Sequence, residues 1–243
     1  TERPLNFMSF NNYNENEPST YTLLREKLEI SSKEFEENLL KKDIDSHTQI
    51  KKANLYAKRL KVFIESFLRK NNVDFLDCGC GLGYIARELS KLSTYNIHYC
   101  DPSDSVKKIH DKIFPKENFF QSDIENLIHI KKKFDLIYLR EVYPFTRDDN
   151  YKNQEKLIKI LNDKLNTNGF LIFEQIKNKK DIFDNLSKLS IKYKILYLLP
   201  IRFGANEVLN KFCFKNLIFQ YLIKLIYKIL GKKINHFILI YKF

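Results

Sequence analysis

The chain predicts an α/β fold built on a mostly parallel sheet. Three observations carry this. Short apolar runs alternate with amphipathic runs between residues 73 and 199, and that alternation is the signature of strands joined by crossover helices. The stretch Asp74-Phe-Leu-Asp-Cys-Gly-Cys-Gly-Leu-Gly-Tyr-Ile85 sets a strand end, a glycine turn and a helix start one after another. Asp101 then closes the next strand-like run, about 24 positions after Asp77, the length of one βα unit.

The elements follow in order. Residues 1–20 are polar and rich in Asn and Glu, with two prolines, and read as an arm without the apolar core of a signal peptide. Residues 21–72 read as a helical cap. Its best stripe is Leu55, Leu60, Phe63, Ile64, Phe67 and Leu68, ending before Asn71-Asn72. Val73 to Asp77 is the first strand, Tyr84 to Leu92 a helix and Asn96 to Cys100 the second strand. Ser105 to Ile113 is a helix that Asp101 or Ser103 could cap. Asn118 to Gln121, Phe134 to Leu139, Phe170 to Glu174 and Lys192 to Leu198 read as further strands. Asn150 to Lys164 and Asp181 to Leu189 read as helices, and His236 to Tyr241 as a closing strand.

The glycine turn carries the chemistry. Glycines 79, 81 and 83 alternate after the strand, where they allow φ > 0 and let a ligand lie against backbone. A dinucleotide fingerprint would need glycine at position 84, which is Tyr84. A P-loop would need Lys after the glycines, and none follows. What stands is Asp-x-Gly-x-Gly-x-Gly, Asp77 to Gly83. With Asp101-Pro102, Ser122-Asp123-Ile124 and Phe134-Asp-Leu-Ile-Tyr-Leu139 downstream, this resembles the motif series of class I S-adenosylmethionine-dependent methyltransferases of the small-molecule type.

The resemblance implies a Rossmann-like fold: a seven-stranded, mostly parallel sheet with an antiparallel last strand. Its organisation would be an arm (1–20), a helical cap (21–72), a core (73–199 plus 232–243) and a helical insertion before the last strand (200–231). It implies S-adenosylmethionine as methyl donor, resting on Asp77, Gly79, Cys80, Gly81 and Gly83. Asp101 would accept from both ribose hydroxyls, with Pro102 beside it. Ser122, Asp123 and Ile124 would meet adenine, where a carboxylate beside a peptide N–H supplies the acceptor and donor that base needs. Leu139 ends the fourth strand at the same edge.

A sulfonium methyl is already activated, so the protein must align the reactants and exclude water; a base helps only if the nucleophile is a hydroxyl. Candidate acceptor-side groups are Arg140, Glu141 and Tyr143 after the fourth strand, and His47 and Tyr56 from the cap. Arg140 suits a carboxylate or phosphate, helped by Arg147 or Arg202, or else a salt bridge with Glu141. The expected acceptor is small, anionic and methylated on oxygen, such as a sugar or phosphorylated precursor of a surface polysaccharide. The alternatives are an RNA methyltransferase and a non-catalytic donor-binding subunit.

Composition bounds the partners. The net charge is +12 with pI near 9.3, but Lys is abundant chain-wide, and no aromatic-basic interleaving favours nucleic acid. Four cysteines, 78, 80, 100 and 213, make neither a disulfide framework nor a zinc set, which fits a cytoplasmic protein without a metal. Leu217 to Leu230 reads as a helix whose polar residues Gln220, Lys224 and Lys228 form one narrow stripe. It would pack as a lid, pair in a homodimer or lie peripherally on a membrane. The run is too short to span one.

Overall fold

The computed structural model describes residues 70–113, 118–143, 150–176, 195–200 and 236–242, with scattered positions elsewhere, chiefly between 53 and 68. The described positions between 53 and 65 are helical and are labelled α1. Then come β1 (Asp74–Cys78), α2 (Tyr84–Leu92), β2 (Asn96–Asp101), α3 (Asp104–Ile113) and β3 (Asn118–Gln121). A 3-10 turn (Glu125–His129), β4 (Phe134–Arg140), α4 (Tyr151–Asp163), β5 (Leu165–Ile176), β6 (Ile195–Pro200) and β7 (His236–Lys242) follow. The arm and first part of the cap expected over 1–52, most of the helix expected over Asp181 to Leu189, the body of the insertion expected over 200–231, and Cys213 lie outside the described residues.

The sheet order is β3-β2-β1-β4-β5-β7-β6. Strands β1 to β5 pair in parallel, and β7 runs antiparallel between β5 and β6. Because β1 to β5 are covered on both faces, they read as apolar runs rather than as alternating ones. One face packs Phe75, Tyr99, Leu136, Tyr138 and Ile172 against Ala57, Leu60 and Ile64 of α1 and Ala86 and Leu89 of α2. The other packs Leu76, Ile137, Leu139, Leu171 and Phe173 against Leu157, Ile158 and Leu161 of α4. The side-chain period of two assigns each strand residue to one of these layers. Each such aliphatic or Phe side chain, fully buried, contributes about 1.5–3 kcal/mol.

Most boundaries differ from the sequence expectation by a residue or two, and β5 differs by more. It pairs from Leu165 rather than Phe170, with a register jump: Phe134 faces Leu165, and Leu136 faces Phe170. Asn168-Gly169 does turn, with Asn168 left-handed at φ 64, but as a bulge inside a pairing already begun. Phe134 N–H donates to Lys164 O at 2.8 Å, and Asn166 Nδ2 donates to Asp135 Oδ1 at 3.0 Å, so both sides of the bulge are tied to β4. Among the described residues no helix is long and apolar enough to cross a membrane, and no cluster of three or more metal-ligating side chains occurs.

Candidate active site

The site is built at the carboxyl ends of β1, β2, β4 and β5, where open α/β sheets place ligands. Leaving β1, the chain takes three left-handed glycines: Gly79 (φ 73), Gly81 (φ 53) and Gly83 (φ 69). Gly79 N–H and Cys80 N–H both donate to Cys100 O, at 2.7 and 3.0 Å, which pins the turn to β2. A Cβ on Gly79 would lie 2.6 Å from Val142 Cγ2, and one on Gly83 2.7 Å from the Tyr99 ring. At these two positions glycine is therefore required by the chain's own packing as well as by backbone conformation.

Register places the acidic tips on one face. Asp77 lies beside Tyr99 on β2 and Tyr138 on β4. One pleat further, Arg140 stands beside Glu174, and Asp101 follows Cys100, the partner of Cys78. By alternation, Asp77, Asp101, Arg140 and Glu174 share the face covered by α1. Three carboxyls and one guanidinium thus share this face. Asp77, Asp101 and Glu174 are all buried.

The four groups are not equally served. Asp101 Oδ2 accepts from Gly81 N–H at 3.0 Å and Oδ1 from Ser103 N–H at 3.0 Å. Ser103 Oγ accepts from Val106 N–H at 3.4 Å and caps α3. Asp101 is therefore no helix cap; it ties the glycine turn to the start of α3, with about two of its four lone-pair sites left over. The Glu174 carboxylate accepts from the Tyr138 hydroxyl. Arg140 lies 4.2 Å above the Tyr56 ring of α1, its Nη2 donating to Tyr56 Oη at 3.0 Å, while its buried Nε has no hydrogen-bond partner among the described residues. The partner of Arg140 is thus a cap tyrosine, where the sequence offered a salt bridge with Glu141. Asp77 is only 5% exposed, and no hydrogen bond serves its carboxyl among the described residues.

These surroundings set the charges. Burial pushes the Asp77 carboxyl up to about 7; Arg140 opposes the shift and Asp101 adds to it. Burial also raises Asp101, against the pull of the Ser103 and Gly81 N–H groups. For Arg140, burial works against the charge, but Tyr138, Tyr56 and Glu174 outweigh it and raise its pKa. Burial raises the Cys80 thiol, and the carboxyls of Asp77 and Asp101 raise it further. That disfavours a thiolate, and with it a nucleophile, at this position.

The other candidates are spread more widely. Asp123 is exposed; its carboxylate accepts from Asn126 N–H at 2.7 Å and Asn126 Nδ2 at 3.1 Å, so it caps the 3-10 turn as well as standing beside β3. Ser122 N–H donates to Asp101 O at 3.2 Å, and its hydroxyl donates to Asp123 O at 2.9 Å. Ile124 is buried and Pro102 exposed. Leu139 packs its side chain in the opposite layer with Cys78 and Cys100, leaving only its backbone at the edge. Glu141 is left-handed at φ 54, with its N–H donating to Glu174 O at 3.0 Å. Tyr143 is 48% exposed. His47, Arg147 and Arg202 lie outside the described residues. Sequence reasoning passed over Tyr138 and Glu174. The available signal was a lone acid ending the apolar run Phe170 to Phe173, the same pattern that picked out Asp77 and Asp101.

A parallel sheet with this strand order, a left-handed glycine turn after its first strand and an acidic tip on the next defines the class. That class is the Rossmann-like α/β fold of methyltransferases. Residues 76–173 match the family model described as a methyltransferase domain. The fold is similar to the plantazolicin methyltransferase BpumL in complex with SAH, with TM-score 0.56, 16% identity, and 84% of this chain and 89% of that chain covered. BpumL bound to a triazolic desmethylPZN analog and SAH aligns at TM-score 0.56 and 16% identity, over 91% and 95% of the two chains. The related BamL complex aligns at TM-score 0.55 and 12% identity, over 91% and 94%. No curated protein matches the chain in sequence.

Proposed function

We propose that the chain is an S-adenosylmethionine-dependent methyltransferase that holds its donor over the glycine turn and methylates an oxygen of a small anionic acceptor. The carrying observation is Asp77, a buried carboxyl without a hydrogen bond among the described residues. A carboxyl left in that state is costly unless a cation meets it, and the donor is cationic. The fit is chemical: three carboxyls and one guanidinium share a sheet face, an excess of acid that suits a positive ligand.

In this reading Asp77 faces the cationic end of the donor, and the backbone of Gly79, Cys80, Gly81 and Gly83 lies beneath it. Asp101 offers its remaining lone pairs to the ribose, beside Pro102. Ser122, Asp123 and Ile124 flank adenine, and the Leu139 backbone closes the edge. When bound, the donor supplies an activated methyl group. The chain's own work is alignment and exclusion of water. Arg140 anchors the acceptor through guanidinium hydrogens not given to Tyr56. Glu141, Tyr143 and His47 are the groups available to take a hydroxyl proton.

Labelled donor incubated with hydroxylated sugar phosphates, carboxylates, a short carboxylate-bearing peptide and RNA tests the acceptor class. Methyl transfer to the small anions is expected, with Arg140→Ala raising acceptor KM at least tenfold. Transfer to RNA alone, or an unchanged acceptor KM, rejects the reading.

A further inference from the structure

The neighbours of Asp77 are unequal in a way that bears on product release. Asp101 on β2 has two backbone donors, and Glu174 on β5 has the Tyr138 hydroxyl. Asp77, between them on β1, has none among the described residues. The charged and titratable groups around it are Asp101 on β2, Cys78 and Cys80 at the turn, Arg140 and Tyr138 on β4, Glu174 on β5 and Tyr56 on α1. Arg140 is the cation of this set, and it is shared with Glu174, Tyr138 and Tyr56. No other fixed positive charge in the set is left to neutralise Asp77.

We propose that Asp77 is the residue by which the site tells its sulfonium donor from the thioether product, which lacks only the charge on sulfur. The inference rests on the donor reading above. In the free enzyme Asp77 keeps its proton up to about neutral pH, because burial disfavours the anion. Arrival of the cationic donor gives the anion a partner, so the carboxyl releases its proton to solvent. Loss of the methyl group leaves neutral sulfur beside a buried carboxylate. Asp77 then takes a proton back and the product is held less tightly. Donor affinity rises with pH up to about 7 and levels off above it, whereas product affinity changes less.

Calorimetry in two buffers of different ionisation heat reads the proton directly. With S-adenosylmethionine, release of about nine-tenths of a proton at pH 6 and about one-tenth at pH 8 is expected from a carboxyl titrating near 7. With the demethylated thioether, release at pH 6 is expected to fall to less than half of that. Asp77→Asn should abolish the pH-dependent release and cut the preference for donor over thioether at pH 8 at least tenfold. Infrared difference spectra of the unaltered protein give a second measurement that needs no variant: a protonated-carboxyl band should disappear when donor is added at pH 6. Equal proton release with both ligands, or release that persists in Asp77→Asn, overturns the inference and leaves the donor reading standing. Absence of donor binding at either pH overturns both.

Discussion

Val142 closes over Gly79: a Cβ added to that glycine would lie 2.6 Å from Val142 Cγ2. The residue after Glu141 therefore packs directly on the turn that follows β1. The loop after β4 and the glycine turn are thus in contact.

Gly79→Ala meets both this clash and a left-handed φ of 73. A cost of about 2–4 kcal/mol is expected from strain plus overpacking, read as a lowered urea midpoint. Gly79→Ala with Val142→Ala should recover the packing part and retain the backbone part. Full additivity of the two changes would show that the contact is not felt.

Glu141 is left-handed without being glycine. Such strain is kept where surrounding structure demands it and often marks function. Glu141→Gly should stabilise the fold by about 0.5–1 kcal/mol. If the carboxylate takes part in methyl transfer, kcat falls in the same variant. Denaturation and turnover measured together separate strain from chemistry.

Tyr56→Phe removes the acceptor of the Arg140 Nη2 hydrogen bond but keeps the ring beneath the guanidinium. A loss of about 1–2 kcal/mol is expected for a bond to a charged group. Tyr56→Ala removes the ring as well and should cost more. Equal effects from the two substitutions would show that stacking contributes nothing.

Stability should fall as pH rises from about 4 to 7, because Asp77 titrates near 7 in the fold and near 4 in the unfolded chain. The folded state binds the extra proton in that window, so raising the pH removes it at the expense of the fold. Asp77→Asn should flatten this slope and be the more stable protein at pH 8. Asp135 is the opposite case, at the amino end of the sheet. Burial raises its carboxyl, but hydrogen bonds from Lys70, Asp74 N–H and Asn166 outweigh that and lower it. Its contribution is present above about 4 and is lost as pH falls through the lowered value. Asp135→Ala should cost about 2–4 kcal/mol and leave donor affinity unchanged. Urea titrations of both variants at pH 3, 5 and 8 check the two signs.

Local spacing was enough for the strand, turn and helix around Gly79 to Gly83, for the acids at the ends of the first two strands and for the Rossmann-like class of fold. Those features are written within a few residues of one another, in apolar runs, glycine positions and βα lengths. Sequence could not say that Tyr56 would lie under Arg140, that Val142 would cover Gly79, or that Glu174 would join Asp77 and Asp101 on one face. Those pairs join residues far apart in the chain, and only strand register and the packing of α1 bring them together. Burial did the rest: the same carboxyl is an ordinary acid in the unfolded chain and a near-neutral one at the end of β1, because burial works against its charge and no hydrogen-bond donor meets it among the described residues.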